Sequence, residues 1–209
     1  MKFSTKLFLS GLLALSASTA SASLITTADF NEQLSLPTLV GPDVREFEVL
    51  GAAVGAGNEL TDANEIANPG GYSGHANMDL DQSGLLTLTG QEPAGFADYQ
   101  LAVFTLTNIL FDTSTVIAGV TVIGQGNEIF DGQNQTLFPI PSVSFTDNSV
   151  TITYHVGQQS ISDEFNFGQD LQAQFQLVMR DVQGQVPEPA YLGLTGLVLL
   201  MLSMRRKHH

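Results

Sequence analysis

The 209-residue sequence contains no cysteine and no tryptophan. Without cysteine no disulfide framework is available, so the fold must rest on burial and hydrogen bonding alone. The absence also removes thiolate nucleophiles, and it weakens the case for zinc, which favours Cys and His donors. Without tryptophan the largest ring face for stacking on sugars is missing, and only Tyr72, Tyr99, Tyr154 and Tyr191 remain as amphipathic rings. Positive charge is equally scarce. Seven Lys and Arg face 21 Asp and Glu, for a formal net charge of −14. All the acids lie within residues 23–189, where Arg45 and Arg180 are the only Lys or Arg. So acidic a segment repels nucleic acid and anionic lipid headgroups, which excludes nucleic-acid binding. It attracts Ca²⁺ or Mg²⁺, or simply stays solvated; solvation is the simpler account.

What the middle lacks, the two ends have. At the N-terminus Lys2 and Lys6 precede an apolar run from Leu7 to Ala17, followed by Ala20-Ser21-Ala22. A basic start, a short apolar stretch and small residues at the cleavage positions make a secretory signal peptide over residues 1–22. The expected cut falls after Ala22 and makes Ser23 the first residue of the exported chain. At the C-terminus Val186-Pro187-Glu188-Pro189 is followed by an uncharged run from Ala190 to Met204 and then by Arg205-Arg206-Lys207. As a helix the run spans about 22 Å, less than the ~30 Å hydrocarbon core, and snorkelling of the flanking basic residues makes up part of the difference. Basic residues directly after an apolar run act as a stop-transfer signal facing the cytoplasm. The two prolines keep the preceding triplet extended and out of the helix.

In this order, triplet, apolar run and basic end resemble the PEP-CTERM sorting domain of Gram-negative bacteria. The resemblance covers residues 186–207. Pro187, Glu188 and Pro189 match the sorting triplet, and Arg205, Arg206 and Lys207 match the basic end. It implies recognition by an exosortase, a membrane-embedded enzyme that processes the tail near the triplet. It also implies delivery of the protein to the cell surface or the exopolysaccharide matrix. The logic is that of other C-terminal signals with a discarded hydrophobic tail.

Between leader and tail, residues 23–185 have the length of one domain. Their pattern predicts strands separated by Gly/Asn/Asp loops. The mixed stretch Leu24 to Leu39 reads as opening with an edge strand. Glu46 to Leu50 alternates in polarity, as a half-buried strand does. Residues 51–74 read as one long loop with a turn at Asn68-Pro69-Gly70-Gly71. His75–Leu80 and Leu85–Thr89 read as a hairpin, with Gly84 at a position of positive φ. Tyr99–Phe111, the most apolar stretch, reads as one long strand, or two with a bulge near Asn108, buried on both faces at its centre. Thr115–Ile123 follows as a second core strand, with a bulge or close approach at Gly119. Val143/Phe145 and Val150/Ile152/Tyr154 alternate around Asp147-Asn148, the clearest hairpin. Asp163–Phe167 reads as a short strand. Leu171–Met179 has period two, with a helix as the competing reading because Gln, Leu, Ala and Met favour helices. Nine or ten strands without a strong internal helix imply an all-β antiparallel sandwich of jelly-roll type, flanked by a signal helix and a hydrophobic C-terminal helix.

Candidate chemistry in the domain is thin. Asp79, Asp81 and Ser83, followed by Gly84, match the front half of a D-x-D-x-S-G calcium loop, in which three oxygens at alternate positions converge on one hard cation. The twelfth position, however, is Gly90 instead of Glu, and Glu92 comes two residues late, so a plain hairpin competes. No G-x-S-x-G is present, and the domain's histidines are His75 and His155. The acids permit many carboxylate pairs of the kind used in glycoside hydrolysis, but none is singled out. Two alternatives therefore stand beside a non-catalytic exported protein. One is a carbohydrate-binding or Ca²⁺-assisted adhesion module; the other is a secreted glycoside hydrolase.

Overall fold

Alternating polarity produces ten strands and no α-helix in the computed structural model, which describes residues 23–36, 43–68, 74–91, 99–130, 138–156 and 164–182. The leader and tail helices, the triplet, Tyr72, Glu92 and the turn residues 69–71 lie outside the described residues. Among the described residues no helix is long and apolar enough to cross a membrane.

The strands are β1 (Ile25–Leu36), β2 (Asp43–Ala53), β3 (Glu65–Ala67), β4 (Ala76–Leu80) and β5 (Leu85–Gly90). They continue with β6 (Leu101–Phe111), β7 (Thr115–Ile123), β8 (Ser142–Thr146), β9 (Ser149–His155) and β10 (Gln172–Asp181). They form a six-stranded sheet, β3-β2-β1-β6-β9-β8, and a four-stranded sheet, β4-β5-β10-β7. Every pairing of named strands is antiparallel. The inward rows of both sheets share one apolar core. Phe30, Leu34, Phe104, Leu106, Ile152 and Tyr154 meet Met78, Leu80, Leu86, Leu88, Phe175 and Leu177. Each such side chain removed from water contributes roughly 1.5–3 kcal/mol. The arrangement is sandwich-like.

Several expectations need correction. β1 is no edge strand; it pairs with β2 on one side and β6 on the other. Its mixed polarity comes from a charged residue, Glu32, placed in the inward row between Phe30 and Leu34. β6 buries one face only: Ala102, Phe104 and Leu106 point inward, while Val103 and Thr105 are half-buried and Thr107 is exposed. β7 is a strand as expected but forms an edge of the smaller sheet. Residues 51–68, the described part of the expected loop, carry regular structure. β2 runs to Ala53, a 3-10 turn over Asp62–Asn64 is closed by a Thr61/Asn64 capping box, and β3 follows. Leu60, fully buried, pins this excursion to the core through a bridge to Met78. Phe165 and Phe167 reach the core through single bridges to Tyr99 and Phe130, without forming a strand with their neighbours.

Other expectations hold. Leu171–Met179 gives the strand β10, whose Ala173, Phe175 and Leu177 face inward. The helix reading fails because that row completes a core that only a two-residue period can serve. The hairpins β4–β5 and β8–β9 form where alternation places them. The bulge near Asn108 is present: Asn108 has φ 49°, and the β1–β6 register shifts between Thr27 and Asp29. A register shift between Val178 and Met179 likewise adjoins Gly119 in β7.

Candidate functional site

An acid in the core row of a central strand sets the first question, because an isolated charge is costly to bury. Glu32 is fully buried opposite Phe47 of β2. Its Oε1 accepts the backbone N–H of Ala76 at 2.9 Å, which ties the larger sheet to the first residue of β4 in the smaller one. Its Oε2 lies 3.8 Å from Nδ1 of His75. At that distance the two groups interact electrostatically without a hydrogen bond, and neither atom has another partner. The His75 ring stacks on Phe47, with centroids 4.8 Å apart. Burial pushes the Glu32 carboxyl above the usual carboxylate range, against the pull of His75, the Ala76 amide and Arg45.

Arg45 completes the network. It lies two residues before Phe47 on the inward face of β2, with its guanidinium 4.7 Å from the Phe47 ring centroid. Nε donates to Glu65 Oε1 at 2.7 Å and Nη2 to Glu65 Oε2 at 3.3 Å, a forked pair that fixes β3 on β2. Nη1 donates to the Gly74 carbonyl at 2.5 Å, and the Tyr99 hydroxyl donates to the same oxygen at 2.6 Å. Residues 74–76 are thereby held from three directions, by Arg45, Tyr99 and Glu32. Glu32, His75 and Arg45 are 0%, 4% and 6% exposed, and the network meets solvent only at the partly exposed Glu65. The network acts as a clamp on residues 74–76, with burial favouring the protonated form of the Glu32 carboxyl.

We compared the chain with protein-family models, curated proteins and solved structures. None of the three yields a match.

The hairpin that carries Asp79, Asp81 and Ser83 is differently built. Asp81 Oδ1 accepts from the Ser83 amide at 2.8 Å, the Ser83 hydroxyl at 2.7 Å and the Leu85 amide at 3.0 Å. One oxygen thus closes the turn, and these donors help hold the Asp81 carboxyl below its ordinary range although partial burial raises it. Gly84 has φ 88°, as its place in the turn requires. Asp79 lies on the outer face of β4, its carboxyl pushed up by partial burial and then by the charge of Asp81. Glu59 accepts the Leu80 amide at 2.8 Å and the Gly55 amide at 3.2 Å. Among the described residues no group of three or more His, Asp or Glu side chains converges to hold a metal ion.

Sequence reasoning singled out His75 but not its partner. Glu32 was hidden because an acid in a mixed-polarity stretch looks solvent-facing. The signal that could have found it is the alternation Ala28-x-Phe30-x-Glu32-x-Leu34, in which Glu32 occupies an apolar slot.

Proposed function

We propose that this chain is an exported cargo, sent out by a leader over residues 1–22 and sorted by a C-terminal tail over residues 186–209. In this reading the tail inserts as a hydrophobic helix, with Arg205, Arg206 and Lys207 left on the cytoplasmic side. An exosortase grips Pro187-Glu188-Pro189 and processes the tail. The acidic β domain is then handed to the cell surface or the exopolysaccharide matrix. The observation that carries the reading is the fixed order of triplet, uncharged run and basic end. The acidic domain between the ends supports it, since strong net negative charge keeps a released protein soluble.

The domain itself serves as a jelly-roll-like scaffold without a catalytic role. In support, the connections β3–β4, β5–β6, β6–β7, β7–β8 and β9–β10 all pass from one sheet to the other. Its buried polar network braces the sandwich and presents no open constellation to a substrate.

Intact-mass measurement of the protein recovered from cells with and without the exosortase tests the proposal. Loss of the tail mass only when the enzyme is present supports it. An identical full-length mass from both strains, with the protein in the cytosol, sinks it.

A further inference from the structure

If the leader is cut after Ala22, hydrolysis leaves a carboxylate on Ala22 and a free α-amine on Ser23, with water supplying the added atoms. That amine carries a proton at neutral pH. The surroundings of Ser23 are therefore a landing site for a cation that the uncut precursor does not have. Ser23 is buried, 8% exposed. Its hydroxyl donates to Asp112 Oδ1 at 3.3 Å and accepts from the Thr113 hydroxyl at 2.9 Å. The next amide, of Leu24, donates to the same Asp112 oxygen at 2.9 Å, and the Asp112 amide donates back to the Leu24 carbonyl at 3.0 Å. The Thr113 and Thr115 hydroxyl oxygens lie 2.9 Å apart, and the Thr115 hydroxyl donates to Asp181 Oδ1 at 3.2 Å. The start of β1 is thus held by the β6–β7 turn, against the Asp112 carboxylate. Among the described residues no salt bridge neutralises Asp112 or Asp181.

We propose that leader removal arms a latch in which the new Ser23 α-ammonium pairs with the Asp112 carboxylate and pins the first turn of β1. The inference rests on the export reading given above. While the leader is attached, the Ser23 nitrogen is a neutral amide and the pair does not exist. After the cut, a charge-assisted contact forms one residue from an amide that already bonds the same carboxylate. The strand it pins is central in the larger sheet, and its first residue, Ile25, is fully buried. The domain gains this contact only once it no longer needs to stay loose for export.

The test uses the full chain, expressed with its leader in an exporting Gram-negative host and extracted in mild detergent. Mass spectrometry reads its first residue. The α-amine is then acetylated near neutral pH; Lys207 carries the only other amine in residues 23–209. In the native protein acetylation lowers the unfolding midpoint by about 2 °C, as expected for an ion pair whose carboxylate, Asp112, is exposed. In Asp112→Asn, which keeps the Oδ1 acceptor but loses the charge, acetylation leaves the midpoint unchanged. The native amine also reacts several-fold more slowly than that of Asp112→Asn. A product that begins at Ser23 but loses nothing on acetylation, or loses as much in Asp112→Asn, overturns the latch and leaves the export reading intact. A product that begins at any other residue overturns both the cut and the latch.

Discussion

Glu32 is an acid whose ionisation the fold opposes by burying it completely. Its carboxyl is raised by burial, so the folded protein holds the proton more firmly than the unfolded chain does. The stability this contributes is fully present below the ordinary value of 4.5 and is lost as pH rises through the folded-state value. Glu32→Gln mimics the protonated acid: it keeps an acceptor for the Ala76 amide and offers an N–H to His75. We expect the unfolding free energies of the two proteins, from urea titrations, to agree to within about 1 kcal/mol at pH 4 and to separate in favour of the Gln protein by pH 8. Parallel pH profiles would refute the upward shift of the buried Glu32 carboxyl. Asp81 is a second test at this scale. If its carboxylate closes the hairpin, Asp81→Ala destabilises the protein by about 1–2 kcal/mol, and a calorimetric Ca²⁺ titration of the native protein shows no binding heat. Saturable heat lost in Asp81→Ala would instead restore the calcium reading of Asp79, Asp81 and Ser83.

At the level of strands, the packing of β5 against the segment before β10 leaves no room for a side chain at Gly90. A Cβ there would meet the Gly168 carbonyl oxygen at 2.3 Å and the Phe167 Cβ at 3.0 Å. The obstacle is backbone that is itself bonded, since the Gly168 amide donates to the Ile129 carbonyl at 2.8 Å. Gly90→Ala should therefore lower stability by about 1–3 kcal/mol, measured by chemical denaturation. Asp29 shows a different device. Its Oδ1 accepts the amide of Gly51, and its Oδ2 accepts the Asn108 side-chain amide at 2.6 Å. Gly51 and Asn108 both have positive φ, so one carboxylate secures irregularities in the two strands that flank β1. The bulge at Asn108 was legible because Asn tolerates that backbone region. The tie to Asp29 was not, since it joins residues 79 apart in sequence.

Taken whole, the molecule is an acidic sandwich with few cations of its own, and like-charge repulsion works against compaction. Raising NaCl from about 0.05 to 0.5 M shortens the Debye length severalfold and should raise the thermal midpoint, as read by circular dichroism. An unchanged or lowered midpoint would mean that local ion pairs such as Arg45–Glu65 outweigh the global field. The sequence by itself determined the class and location of most strands, because a two-residue alternation of polarity is a local property of the chain. The proposed reading of the two ends as handling signals likewise rests on linear patterns, which need no folding to be read. Tertiary structure alone decided which strand lies next to which. It moved β1 from an expected edge to the centre, and it turned Glu32 and Arg45 from apparent surface charges into a buried clamp between the sheets. Pairing order and burial depend on contacts between segments far apart in the chain, and no window of neighbouring residues carries that information.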